Sequence, residues 1–187
     1  MIIIGITGTL GAGKGTIVDY LVREKNFVHF SVRAYITKEI ISRGMNVNRD
    51  TMVKTANELR AQHSPAYIVE QLYEQASANG KNCIIESIRT PGEAELLKQK
   101  GNFFLFAVDA NPEIRYKRIQ IRASETDYIS YETFLENEKR EMSSDDPNKQ
   151  NLKMCIAMAD YSFENNGDIS SLQYEVSRVL EKIEQHV

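Results

Sequence analysis

The feature that most constrains this chain is a β-branched run that ends in a glycine-rich turn. Ile2, Ile3, Ile4, Ile6 and Thr7 fall within six residues, and Gly8-Thr9-Leu10-Gly11-Ala12-Gly13-Lys14-Gly15-Thr16 follows at once. A β-branched run without polar alternation predicts a strand covered on both faces, as in a parallel sheet. Beyond the glycines, Ile17, Val18, Leu21 and Val22 recur at helical spacing, so Thr16–Lys25 reads as an amphipathic helix. Strand, glycine turn and helix in that order make an anion site. Successive backbone N–H groups surround an anion only where the chain tolerates left-handed conformations, and the following helix points its positive end at the charge.

The alternation continues along the chain. Phe27–Ser31 predicts a second strand, and Val32–Arg43 a helix ended at Gly44. Asp50 or Thr51 caps a helix toward Gln62, and Pro65 suits the first turn of another to about Ala78. Strands follow at Asn82–Glu86, Phe103–Asp109 and, more weakly, Asp160–Glu164. Helices are expected at Pro91–Lys100, Pro112–Arg122, Tyr131–Glu141 and Ser170–Gln185, with Ser143–Asn151 a polar loop. The pattern predicts one α/β domain over residues 1–187, a three-layer sandwich around a mostly parallel five-stranded sheet.

Composition narrows the partners. A formal charge of -3 gives no broad attraction to nucleic-acid backbones, so anion binding must come from local Arg and Lys clusters. Cys83 and Cys155 match no metal-ligand spacing and fit a reducing interior. Met1–Ile6 lacks the basic flank of a signal peptide, and no stretch approaches the roughly 18 apolar residues of a membrane span. A cytoplasmic protein with no nucleic-acid or membrane partner is expected.

The nonapeptide Gly8–Thr16 has the spacing and the strand–helix context of a P-loop, which binds ATP or a similar triphosphate. Gly8, Gly11, Ala12, Gly13, Gly15 and Thr16 form the cradle, and Lys14 supplies a mobile cation for the β- and γ-phosphates. Gly15 stands where many P-loops have the Ser or Thr that ligates Mg²⁺. Thr16, one residue late, fits the α-phosphate better and is only a secondary metal candidate. Mg²⁺ is then held mainly by nucleotide, water and a carboxylate, which favours a kinase over a GTPase-like protein.

Gly8–Thr16, with its Lys-Gly-Thr ending, resembles the loop of adenylate kinase and related nucleoside monophosphate kinases. Ile84-Ile85-Glu86-Ser87-Ile88-Arg89-Thr90 is similar to a second segment of that family. The resemblance implies that Glu86 organises the Mg²⁺ hydration shell and that Arg89 holds the acceptor phosphate. The C-terminal half resembles dephospho-CoA kinase: Val108-Asp109-Ala110-Asn111-Pro112-Glu113 leads to Lys117-Arg118 and Arg122, and Asn165-Asn166-Gly167 closes the last strand. This implies Arg118 and Arg122 as catalytic arginines and Asn165 at the nucleotide. Arg115, Arg118 and Arg122 share a helix face, either as lid arginines or as a solvated basic stripe. The helical stretch of about 32–80 reads as an acceptor-binding insertion, and about 115–151, a helix with Arg118 and Arg122 followed by a polar loop with few apolar anchors, as a mobile lid.

The acceptor is less well specified. Ser31-Val32-Arg33-Ala34-Tyr35-Ile36-Thr37 keeps only the serine of the corresponding adenylate-kinase segment. Asn57 and Arg60 share a helix face and either read an acceptor, with His63 beyond, or are ordinary surface polar residues. A nucleoside monophosphate or similar nucleotide-like acceptor is favoured, with dephospho-CoA next. A binding module without transfer activity, or an ATPase coupled to a partner, are the other classes. Met154 and Met158 are expected as core fillers.

Overall fold

The computed structural model describes residues 1–123 and 127–187. Five strands, β1 (Ile3–Gly8), β2 (Val28–Ser31), β3 (Cys83–Glu86), β4 (Phe103–Asp109) and β5 (Tyr161–Glu164), form one sheet in the order β2-β3-β1-β4-β5. Every pairing is parallel, with Ile6 beside both Glu86 and Phe106. The three-layer α/β sandwich expected from the alternation is present.

Pleat alternation divides the apolar residues between two cores. Ile3, Cys83, Ile85, Phe103 and Leu105 face helices α2 (Val32–Ser42), α3 (Arg49–Gln62), α4 (Tyr67–Asn79), α5 (Pro91–Gln99) and α8 (Leu152–Ala157). Ile4, Ile6, Ile84, Phe106 and Phe163 face α1 (Lys14–Lys25) and α9 (Ile169–Glu184). Gly5 interrupts the isoleucines for a packing reason: a Cβ there would stand 2.6 Å from both Ile88 Cδ1 and the Phe103 ring.

Two helices belong to neither core. On α6 (Pro112–Arg122) and α7 (Tyr131–Met142), Tyr116 meets Tyr131 and Phe134 with ring centroids 5.1 and 5.6 Å apart. Phe134 is fully buried, so the stretch 115–151 is better anchored than its sequence suggests; residues 124–126 within it lie outside the described residues. Helix α8 was not expected. Asn151, at the end of the polar loop, caps it through Met154 N, and Leu152 and Cys155 are buried beneath it. Met158 packs against the core, but Met154 is exposed, contrary to expectation.

The α3–α5 contact depends on a buried carboxylate. Glu93 accepts from Arg60 Nε and Nη2 at 3.0 and 2.8 Å, and from the backbone N–H groups of Arg89 and Thr90 at 2.8 and 3.1 Å. Arg60, expected either at a surface or on an acceptor, is 2 % exposed. Thr90, Pro91 and Glu93 form a capping box that starts α5, so the carboxylate serves helix and ion pair together. Arg60→Met leaves Glu93 charged and unpaired in a dry interior. It should lower unfolding free energy by about 3–5 kcal/mol, read from urea denaturation midpoints.

Candidate active site

At the carboxyl edge of the sheet lies a cleft of about 600 Å³. Gly8–Thr16 bends over the end of β1, and the chain beyond β3 and helix α6 supply the opposite walls. Crevices at this edge are where open α/β sheets bind ligands.

The loop is held by close backbone approach. Gly13 has φ +110°, and a Cβ there would stand 2.2 Å from Asn165 Nδ2. That amide donates to Ala12 O at 2.8 Å, so Asn165, itself buried, braces the loop from behind as well as lining the cleft. Gly11, at φ +79°, lies against the Arg115 carbonyl, 2.5 Å from where a Cβ would be. Gly15 differs: it is exposed, and a Cβ there meets nothing within 4 Å. No side chain caps α1, and its N-terminus opens into the cleft, which satisfies the electrostatic requirement for a phosphate.

Lys14 donates its Nζ protons to the carbonyls of Gly8 and Thr9 at 2.8 and 2.7 Å. Burial, and then the positive charge of Arg89, lower its pKa from 10.5 to about 7, with Glu86 and Glu141 opposing the shift. Glu86 at the end of β3 accepts from Ser31 Oγ at 3.0 Å and Ser87 Oγ at 2.8 Å, and His29 Nε2 lies 3.9 Å away. Thr16 lines the cleft beside Gly15. Among the described residues no cluster of three or more His, Cys, Asp or Glu is arranged to hold a metal ion.

The arginines divide by location. Arg118 lines the cleft; its Nη2 reaches Asn165 Oδ1 and Gly167 O at 3.5 Å, and its Nη1 is buried with no hydrogen-bond partner among the described residues. Arg122 also lines the cleft, with its guanidinium held by both oxygens of Asp127 at 2.8 and 2.7 Å. Arg115 does not join them, which corrects the shared-face reading. It is buried, chelated by Glu138, with its Nε donating to Ala110 O at 2.7 Å and its guanidinium 5.3 Å from the Phe134 ring centre. Arg115 binds α7 to α6 and, through Leu10 O, to the loop itself.

A second pocket, of about 100 Å³, adjoins the cleft; Arg33, Ser87 and Arg89 line both. Arg89 Nη1 donates to Glu141 Oε2 at 2.9 Å and to Gln150 Oε1 at 3.2 Å, and Arg49 donates to the other Glu141 oxygen. Asn57 and His63 do not line either space; His63 is exposed and stacks on Tyr67 with ring centres 4.0 Å apart. Sequence reading missed Ser87, Arg49 and Glu141. Ser87 has φ +69°, a conformation few non-glycine residues adopt and one that collects at functional sites. Glu141 gave no signal, because a carboxylate on a polar helix ordinarily faces water.

Two predictions follow from this geometry. Gly15→Ser should leave the thermal midpoint within error, while Gly13→Ala should cost more than about 1 kcal/mol, because only Gly13 needs a left-handed backbone without a Cβ. Lys14 deprotonates near pH 7 in the unliganded fold, so a bound triphosphate should raise its pKa and draw in a proton at pH 8. Calorimetry in two buffers of different ionisation enthalpy should read uptake of up to about one proton in the wild type and none in Lys14→Arg, whose guanidinium never deprotonates. Affinity then weakens as pH rises above about 7. Over the same window the unliganded fold gains stability, since only the unfolded chain still holds that proton.

Comparison with other proteins agrees with this architecture. The AAA domain family matches residues 4–144. A UPF0200 protein of Methanococcus vannielii is 30% identical over 191 residues, covering 100% of this chain and 99% of its own. Among solved structures, shikimate kinase from Bacteroides thetaiotaomicron superposes with a TM-score of 0.60 at 16% identity, covering 96% of this chain and 98% of its own. A gluconokinase from Sinorhizobium meliloti gives 0.58 at 12% identity, with 99% and 97% covered. At such identities these kinases establish a shared fold, the P-loop kinase type. Matched over residues 4–144 and aligned end to end with a UPF0200 relative, the chain belongs to the AAA domain family and to the UPF0200 family.

Proposed function

We propose that the chain is a nucleotide-dependent small-molecule kinase. The observation that carries this reading is the meeting of two cavities: the P-loop cleft and the smaller pocket share Arg33, Ser87 and Arg89 in their walls. A donor and an acceptor seated one in each would meet where phosphoryl transfer needs them, and positioning with electrostatic stabilisation is most of that chemistry. An acceptor phosphate oxygen bonds to the γ-phosphorus of ATP as the bond from that phosphorus to the β–γ bridging oxygen breaks, and ADP leaves with the bonding pair on that oxygen.

Each group then has a task. The N-terminus of α1 and the amides of Gly11–Thr16 bind the triphosphate, with Thr16 toward the α-phosphate and Lys14 leaving its two carbonyls for the β- and γ-oxygens. Arg118, whose Nη1 has no partner among the described residues, and Arg122, once released from Asp127, offset charge on the transferring group. Arg89 faces the acceptor. Asn165 keeps the loop in shape. Arg115 anchors the base of a lid formed by residues 115–151.

The donor set fits Mg²⁺. Glu86 is the carboxylate beside the P-loop at the end of β3, with Ser31 and Ser87 orienting it, which suits an ion that keeps most of its waters. Bound there, such an ion would supply positive charge to offset that of the phosphates; Glu86 would hold its water shell, and Thr16 would be the secondary contact.

The likeness of Glu86–Thr90 to adenylate kinase favours a nucleoside monophosphate acceptor, and the C-terminal likeness keeps dephospho-CoA as the alternative. The test is ADP release from ATP over nucleoside monophosphates, deoxynucleotides and dephospho-CoA. Release should rise with one acceptor, and Arg118→Met should lower kcat by about 10²-fold with much less effect on ATP affinity. Release indifferent to every acceptor would make the chain an ATPase or a binding module.

A further inference from the structure

The smaller pocket has an unusual charge balance. Its apolar wall is Val32, Ile36, Met52, Val53 and Ala56. Arg49, Arg60 and Arg89 line it as well, and two carboxylates answer them: Glu93 takes Arg60, and Glu141 takes both Arg49 and Arg89. Three cations against two anions leave one positive charge in excess among these five groups. Two donors are also left over. Arg60 Nη1 and Arg49 Nε are buried and have no hydrogen-bond partner among the described residues, and Arg60 is 2 % exposed. Buried polar groups are nearly always paired, so two unpaired N–H groups on arginines that line one pocket call for an anion.

Resting on the kinase reading, we propose that this pocket takes the anionic group of a small acceptor, a carboxylate or a phosphate carried on a compact apolar body. In its absence the Glu141 side chain occupies the same guanidinium groups as an internal substitute. The ligand anion replaces Glu141 on Arg49 and Arg89 and engages the open N–H of Arg60, while its apolar portion lies on Met52, Val53 and Ala56. Glu141 already behaves as a bound anion. Burial pushes its carboxyl up, yet the charges and hydrogen bonds of Arg89 and Arg49 outweigh burial and hold it below its ordinary value.

Size limits the body. A cavity of about 150 Å³ accommodates benzene. A pocket of about 100 Å³ therefore admits the charged end and a few apolar atoms, and the rest of the ligand extends past Ser87 toward the P-loop. Displacing Glu141 also frees α7 from Arg49 of α3 and from Arg89, so acceptor binding and lid movement are linked through one carboxylate.

The experiment uses the full chain carrying Lys14→Ala, which removes the P-loop cation as a competing anion site. Inorganic phosphate and isovalerate are titrated calorimetrically into this protein, into its Glu141→Gln derivative and into its Arg49→Gln derivative. Glu141→Gln should bind at least one of the two anions about tenfold more tightly, because the internal competitor is gone, and Arg49→Gln should bind it about tenfold more weakly. Preference for isovalerate assigns a carboxylate, and preference for phosphate assigns a phosphate; both support the site. Unchanged affinity in Glu141→Gln, or no binding of either anion, overturns it. If Glu141→Gln does not fold, unchanged affinity in Arg49→Gln, which keeps Glu141 paired with Arg89, overturns it alone. ATP binding is measured separately in the wild type, so failure of the donor assignment cannot be mistaken for failure of this one.

Discussion

Everything at the functional edge depends on β1 lying between two parallel neighbours. Its register sets Ile6 level with Glu86 on one side and Gly8 level with Val108 on the other. The phosphate loop, the carboxylate after β3 and the turn after β4 must then leave the sheet at nearly the same height. A one-residue slip would exchange the two faces of the strand, turning Ile4 and Ile6 out of one core and Ile3 out of the other. The register is fixed by burial on both faces, so the site inherits its geometry from hydrophobic packing and not from its own polar contacts.

That dependence explains how much of the molecule was legible in its sequence. Strands buried on both sides announce themselves as apolar runs, and Ile2–Thr7, Asn82–Glu86 and Phe103–Asp109 were each read to within a residue or so. The P-loop was legible because Gly8, Gly11 and Gly13 answer a backbone requirement that other residue types rarely meet. Arg115, Arg118 and Arg122 show the limit. Spacing along α6 could place them on one face, but could not reveal that Glu138 and Phe134 of another helix would enclose the first and leave the third at the rim. Arg60 and Glu93 were invisible as a pair for the same reason. Charged residues 33 positions apart carry no local mark of their partnership.

The two cavities differ in how their charge is balanced. Around the P-loop, Lys14 rests on two carbonyls, Arg118 on an amide and a carbonyl at 3.5 Å, and Arg122 on a buried carboxylate, contacts that a phosphate would have to replace. In the smaller pocket a carboxylate of the chain itself sits on the arginines. A pocket arranged this way keeps Arg49 and Arg89 oriented without leaving them unpaired in low dielectric. The cost is competition between its own side chain and the incoming ligand.

The Arg60–Glu93 pair carries a consequence for the conditions under which the pocket keeps its shape. Its side chains are 1 and 0 % exposed, so mobile ions cannot come between them, and added salt leaves the pair nearly untouched. Warming acts in its favour as well, because the hydration that the two charges gave up is worth less at high temperature. Arg140 and Asp50, joined across the rim with side chains 50 and 84 % exposed, have neither protection. As ionic strength rises, the rim contact between α7 and α3 should weaken while the pocket floor stays fixed, so salt loosens the cover of this pocket before it disturbs the residues beneath.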